Sequence, residues 1–268
     1  MKETFSMKKI IIFVLCTVLM LGMLAGCNAA STEGKLILGT SADYPPFEFH
    51  MLDENGKDVI VGIDVSVAQK IAEDMGLELE IVDISFDNLL TAMDKGQCDI
   101  VIAAMEQNAE RDLVADFSDP YYTDLPPMIL VKAENAGNFT DLTSFNGLVV
   151  GAQTGASKED IVNNDLTGAE LLSLATVTDL VNNLVYDKCA AIVLDGAVAQ
   201  QYAASNPDLV ICEVALGEAY PYSVAVKEGD PQNLLESINK TLAQIPTDGT
   251  IDSYIAEAGV KSEYALEG

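Results

Sequence analysis

The chain has 268 residues and carries 42 acidic against 14 basic side chains, a net charge of −28 that becomes −30 once the first 26 residues, with Lys2, Lys8, Lys9 and Glu3, are set aside. Such a balance repels phosphate, which excludes nucleic acid and an anionic lipid surface as partners but leaves room for one cationic pocket in an acidic body. A single histidine, His50, excludes a histidine metal cluster, and its place in FEFHMLDENG reads as a hairpin edge with no catalytic task.

Residues 1–26 read as a lipoprotein signal peptide. Lys8 and Lys9 form a basic n-region, and Ile10 to Leu21 an apolar segment too short for a comfortable membrane span. Leu24-Ala25-Gly26-Cys27 then has the pattern of a bacterial lipobox, cut before Cys27 so that its thiol carries a diacylglycerol; Met7 is an alternative start. The expectation is a chain tethered by lipid to the extracytoplasmic face of a cell membrane of the Gram-positive type. The remaining 242 residues, Cys27 to Gly268, suffice for one large or two small domains. Cys98, Cys189 and Cys212 show no CxxC spacing, which predicts buried thiols and neither a disulfide framework nor a zinc site.

Leu36 to Thr40 predicts a strand, and Ser41 to Phe49 a loop in which Pro45 and Pro46 deny helix and hold Tyr44 and Phe47 on a preorganised turn. Asp64 precedes Val67, Ala68, Ile71, Ala72 and Met75, the face of a capped amphipathic helix that ends at Gly76. Leu77 to Val82 predicts a strand, Phe86 to Met93 a short helix, and Ile100 to Ala104 a strand buried on both faces, so the first half reads as a parallel sheet. Polar residues follow that strand at once. Glu106, Gln107, Asn108, Glu110 and Arg111 lie beyond its carboxyl end, where open α/β sheets place ligands. Arg111 there is either a clamp for a carboxylate or the partner of Glu110, Asp112 or Asp116 on a solvated face.

Leu89 to Met105 is echoed by Leu180 to Gly196, with Cys98 and Cys189 each nine residues after the first leucine. The echo predicts two similarly wound α/β halves, with Asp195 ending the second strand where Ala104 ends the first. A carboxylate at one strand end and an arginine beyond the other would face each other across a cleft. Between the copies, Leu148 to Ala152 predicts a strand and Gln153 to Ser157 a glycine turn into a helix, either an anion site or a plain cap. A helix at 195–204, strands at 209–213 and 222–226, and two closing helices complete the chain.

The order GTSADYPPFEF, IVGIDVSVAQKIAEDMG, FDNLLTAMDKGQCDIVIAAM, Glu110-Arg111, DFSDPYY, the GAS turn, VLDGAVA and EGDP resembles the family 3 extracellular solute-binding proteins of ABC transporters, the amino-acid-binding lipoproteins. The resemblance implies a two-lobed, type II periplasmic-binding-protein-like α/β fold, with two lobes joined by two crossover strands and closing on the ligand as a hinge. It places 34–123 with 221–268 in lobe 1 and 124–220 in lobe 2. It also implies no catalysis, no cofactor and no metal: a monomer that delivers an amino acid to an ABC transporter permease. By matching positions, Arg111 clamps the ligand α-carboxylate together with Gly155, the Ala156 and Ser157 backbone and the Ser157 hydroxyl. Asp195 accepts the α-ammonium, and Tyr44 and Phe86 sandwich the aliphatic part. Glu106, with Ala104 before it, departs from the Gly-x-Thr or Ser-x-Ser common at these positions, and either adds charge for a cationic ligand or turns to Arg111. Ser41 replaces an aspartate frequent in relatives for lysine and arginine. A polar or cationic ligand side chain is expected from Glu106 and Glu48, and Arg111→Ala is expected to abolish binding with little change in melting temperature. The alternatives are a dehydratase on the same fold, with Glu106 and Asp43 as acid and base, and a ligand sensor that docks on a signalling receptor.

Overall fold

The computed structural model describes residues 34–245 and 249–266, so the expected signal peptide and the expected lipidation at Cys27 lie outside the described residues. Two five-stranded sheets carry the fold. The first has the order β5-β1-β6-β15-β7, from β1 (Lys35–Thr40), β5 (Glu78–Asp83), β6 (Ile100–Val101), β7 (Ala115–Phe117) and β15 (Ala225–Lys227). The second has the order β11-β10-β12-β9-β13, from β9 (Met128–Lys132), β10 (Val149–Gln153), β11 (Glu170–Leu174), β12 (Ala191–Leu194) and β13 (Leu209–Ile211). In each sheet the first three strands run parallel and the fourth is antiparallel to both of its neighbours. The chain leaves the first sheet through β8 (Tyr122–Thr123) and returns through β14 (Pro221–Tyr222), and these two strands pair with each other.

The internal echo has a structural counterpart. Ile100 and Ala191, each eleven residues after the leucine that opens its copy, pair with Leu38 and Val150, and the next pairs are Gly39↔Val101 and Gly151↔Ile192. Both echoed cysteines are buried thiols, as is Cys212, and all three are free.

The helix α1 (Ile63–Met75) buries Ile63, Val67, Ala68, Ile71 and Ala72 and ends at Gly76 in the left-handed conformation, which satisfies the last carbonyls through Ala72 and Glu73. Each fully buried branched side chain on that face contributes about 2 kcal/mol. The start of α1 differs from expectation. Its N-cap is Gly62, with no side-chain cap. Gly62 has φ 138°, and a Cβ there would lie 2.0 Å from the Phe47 carbonyl oxygen, so only glycine fits. Asp64 turns inward instead: its carboxylate accepts from the Ala104 N–H at 2.6 Å and from the Tyr121 hydroxyl at 2.7 Å.

That inward turn also shortens the strand expected at Ile100 to Ala104. Only Ile100–Val101 is laddered. Ala104 sits at φ 45°, a left-handed conformation that costs a non-glycine residue about 1 kcal/mol and carries the chain out of the sheet toward Glu106. The strand expected at 222–226 is interrupted as well, because Ser223 donates to the Met105 carbonyl and Val224 to the Ser118 hydroxyl. A small three-stranded antiparallel sheet of β2 (Asp43–Tyr44), β3 (Glu48–Leu52) and β4 (Asp58–Val61) begins within the stretch expected as loop at Ser41 to Phe49, and its β3–β4 hairpin is the one expected around His50. His50 lies on it between Asp58 at 2.8 Å and Asp83 at 3.2 Å. Among the described residues no helix is long and apolar enough to cross a membrane.

Candidate ligand cleft

Four parallel strands end in turns that meet. Beyond β1 lie Ser41 to Tyr44, beyond β6 Ala104 to Glu106, beyond β10 Gly155 to Ser157, and beyond β12 Asp195. Glu106 is the centre of the arrangement and is 5% exposed. Its Oε1 accepts from the Lys158 ammonium at 2.5 Å and the Ser157 hydroxyl at 2.9 Å. Its Oε2 accepts from Arg111 Nη1 at 3.1 Å, and the same Nη1 donates to the Glu106 carbonyl at 2.6 Å. Lys158 Nζ also lies 2.6 Å from Asp195 Oδ1, and the Tyr44 hydroxyl donates to Asp195 Oδ2 at 2.7 Å while accepting from the Asp195 N–H at 3.2 Å.

The charges follow from these partners. Burial alone would raise Glu106, but Lys158 and Arg111 hold it down to about 2. Burial alone would strip Lys158 of its proton; Asp195 and Glu106 outweigh that, and it stays an ammonium above its usual range. Burial, with Glu106 nearby, lifts Asp195 above the usual carboxylate range against the pull of Lys158. Burial and Asp195 lift the Tyr44 hydroxyl, which remains a neutral donor.

Arg111, 7% exposed, stands over the Phe86 ring with its guanidinium carbon 5.3 Å from the centroid. Its Nη2 reaches the Gly155 carbonyl at 3.1 Å. Gly155 has φ 78° and a Cβ there would come 3.3 Å from Asp87, so glycine permits the two sides to close. Ser41, Tyr44, Phe86, Ala104, Glu106, Ala156, Lys158 and Asp195 all line one cavity of ≈ 10 Å³, about the room of one water. Among the described residues no acid, histidine or cysteine cluster is arranged for a metal.

Several expectations change. Arg111 pairs with none of Glu110, Asp112 or Asp116 but with Glu106. Arg111 and Asp195 do not face each other directly; Glu106 and Lys158 stand between them. The turn at Gly155 is not an open row of donors, because Gly155 N–H is taken by the Glu159 carboxylate and Ala156 N–H by the Gln153 carbonyl. Glu106 is no free anion, since two cations compensate it. Sequence reasoning missed Lys158 altogether. In the run Ser-Lys-Glu-Asp it has the look of a solvated helix face, and only its place on the first turn of α2 (Ser157–Asn164), beside Ser157, points it inward.

Two buried cations and two buried anions, arranged alternately, are complementary to a small molecule carrying both charges. Arg111 has five N–H donors, and the three bonds above leave two for a carboxylate. Residues 36–258 match the model of the bacterial extracellular solute-binding proteins, family 3.

The chain belongs to that family.

Among relatives in family 3, an arginine-binding extracellular protein, ArtP, of Bacillus subtilis is 31% identical over 92% of this chain and 96% of its own. A crystal structure of an amino acid ABC transporter substrate-binding protein from Streptococcus pneumoniae, bound to L-arginine, superposes with a TM-score of 0.80 at 36% identity, over 85% of this chain and 95% of the other. A second protein of that organism, AbpA, also bound to L-arginine, gives a TM-score of 0.82 at 31% identity over 88% and 98%. This chain therefore has the type II, two-lobed α/β fold of family 3.

Proposed function

We propose that this protein is the substrate-binding component of an ABC importer: it captures an amino acid with a polar or cationic side chain and delivers it to a permease at the outer face of the cell membrane. The observation that carries the reading is that Arg111, Phe86, Tyr44 and Asp195, from four separate turns, line or flank one buried cleft. A relative of similar length is described as arginine-binding, and a similar solved structure is bound to L-arginine, which supports the cationic preference. The α-carboxylate takes the two remaining donors of Arg111 with help from the Ser157 side of the cleft, the α-ammonium goes to Asp195, and Tyr44 and Phe86 flank the aliphatic part. Lobe 1 is 34–123 with 221–268 and lobe 2 is 124–220; the protein acts as a monomer, anchored by lipid at Cys27. A dehydratase reading is not favoured, because Glu106 is held ionised between Lys158 and Arg111 and Asp43 accepts from the Val177 N–H.

A thermal-shift screen of the soluble form starting at Asn28, against the common amino acids, their D-forms, polyamines and prephenate, tests the reading. L-arginine or a few other α-amino acids raising the midpoint supports it; a shift with prephenate alone overturns it. Loss of the lipid mass from membrane-extracted protein on Cys27→Ala tests the anchor.

A further inference from the structure

Both carboxylates at the head-group end of the cleft are saturated from within the chain. Glu106 Oε1 has Lys158 and Ser157, Glu106 Oε2 has Arg111, Asp195 Oδ1 has Lys158, and Asp195 Oδ2 has Tyr44. Lys158 is 3% exposed and projects from the first turn of α2 into the space between the two acids. A carboxylate entering this cleft finds unused donors on Arg111. An ammonium finds Asp195 occupied, and the partnerless Glu48 Oε2 in the same cavity belongs to a carboxyl that burial and the nearby Asp64 push well above the usual carboxylate range.

We propose that Lys158 is a specificity-determining residue: it supplies, from the protein, the cation that an α-ammonium brings, so the cleft accepts carboxylates with hydrogen or hydroxyl at the α-carbon nearly as well as α-amino acids. The inference rests on the Arg111 carboxylate clamp proposed above. An α-amino acid must take Asp195 from Lys158, exchanging one charge-assisted pair for another with little net gain. An α-desamino acid leaves Lys158 in place and loses nothing. Without Lys158, the desamino acid would leave a buried carboxylate unpaired, the situation in which a site built for a polar group rejects the analogue that lacks it by a factor of about a hundred or more.

Calorimetric titration of the wild-type protein and of Lys158→Met with L-arginine and 5-guanidinopentanoate, and with L-glutamine and 5-amino-5-oxopentanoate, tests this. The wild type is expected to bind the members of a pair within about tenfold of each other, and Lys158→Met to prefer the amino acid by about a hundredfold. Lys158→Gln should behave as Lys158→Met, and Lys158→Arg should restore the narrow ratio, which a merely structural lysine would not do. A wild-type preference of a hundredfold for the amino acid, or a ratio unchanged in Lys158→Met, overturns the proposal, and the wild-type ratio decides it alone where a variant does not fold. Binding of a desamino acid without its amino acid upholds the role of Lys158 and overturns the amino-acid reading. Binding of none of the four acids by the wild type overturns the proposal.

Discussion

The ammonium of Lys158 sits 2.5 Å from the Glu106 carboxylate and ties together two turns that are 52 positions apart. Both side chains are more than nine-tenths buried, so the pair is screened little by solvent. Removing one partner leaves the other charged in a dry site. Glu106→Gln and Lys158→Met are each expected to cost about 3 kcal/mol in denaturant unfolding. The double variant should lose less than the sum by at least about 1 kcal/mol. Additive losses would show that the two groups are held independently.

Arg111 is the same kind of partner, which changes the expectation for its removal. Because it joins Glu106, the Gly155 carbonyl and the Phe86 ring, Arg111→Ala should lower the melting temperature as well as abolish ligand binding. Arg111→Lys keeps the charge and loses the planar fork. It should retain most of the stability and bind ligand at least tenfold more weakly. Equal affinity in Arg111→Lys would mean that the fork is not used for a carboxylate.

The pH dependence has an unusual sign. Burial lifts Asp64 and Asp43 from 3.8 to about 6 in the folded chain. Between these values the folded protein holds protons that the unfolded chain has released, so stability falls as pH rises through about 4 to 6. Glu106 works the other way: held at about 2 against 4.5 unfolded, its contribution is complete above 4.5 and is lost as pH falls toward 2. His50, raised above 6.5 by Asp58 and Asp83 against the effect of burial, adds stability that is full below 6.5 and disappears above its folded value. Unfolding at pH 5 should therefore need more denaturant than at pH 8, with each buried aspartate contributing about 1.4 kcal/mol to the difference. Asp64→Asn should shrink that difference; an unchanged difference would mean that Asp64 is ionised at pH 5.

Tyr44 both donates to and accepts from Asp195, one residue's hydroxyl serving the other's carboxylate and N–H. Tyr44→Phe keeps the ring and leaves both groups short of a partner. It should cost about 2 kcal/mol of stability and weaken ligand binding by about tenfold, read by calorimetry. A loss of affinity with no loss of stability would place the hydroxyl on the ligand and not on Asp195.

Much of the architecture was legible because period and echo are properties of single segments. The α1 face, the two echoed free cysteines and the two parallel cores follow from spacing alone. The apolar run Ile100 to Ala104 gives no sign that its laddering stops at Val101, since residues that leave a sheet inside the core are as buried as those within it. Asp64 looks like a helix cap because position, and not direction, is what a sequence records. The candidate site was legible as four residue types at four strand ends. The wiring among them was not, because Lys158 lies in an acidic run that reads as surface, and because Glu106 had two possible partners in view while the structure joins it to Arg111 and to a third group.

Glu106 and Asp195 stand just past strands of the two large sheets, Lys158 on the first turn of the helix after β10 and Arg111 on a short helix beyond β6, and none of the four is part of a strand in either sheet. The residues that choose the ligand are thus separate from those that hold the cores together. Exchange of Glu106 and Lys158 together during descent changes what is bound while avoiding part of the loss that either exchange alone would bring, which lets one scaffold drift from cargo to cargo by coupled substitutions at its seam.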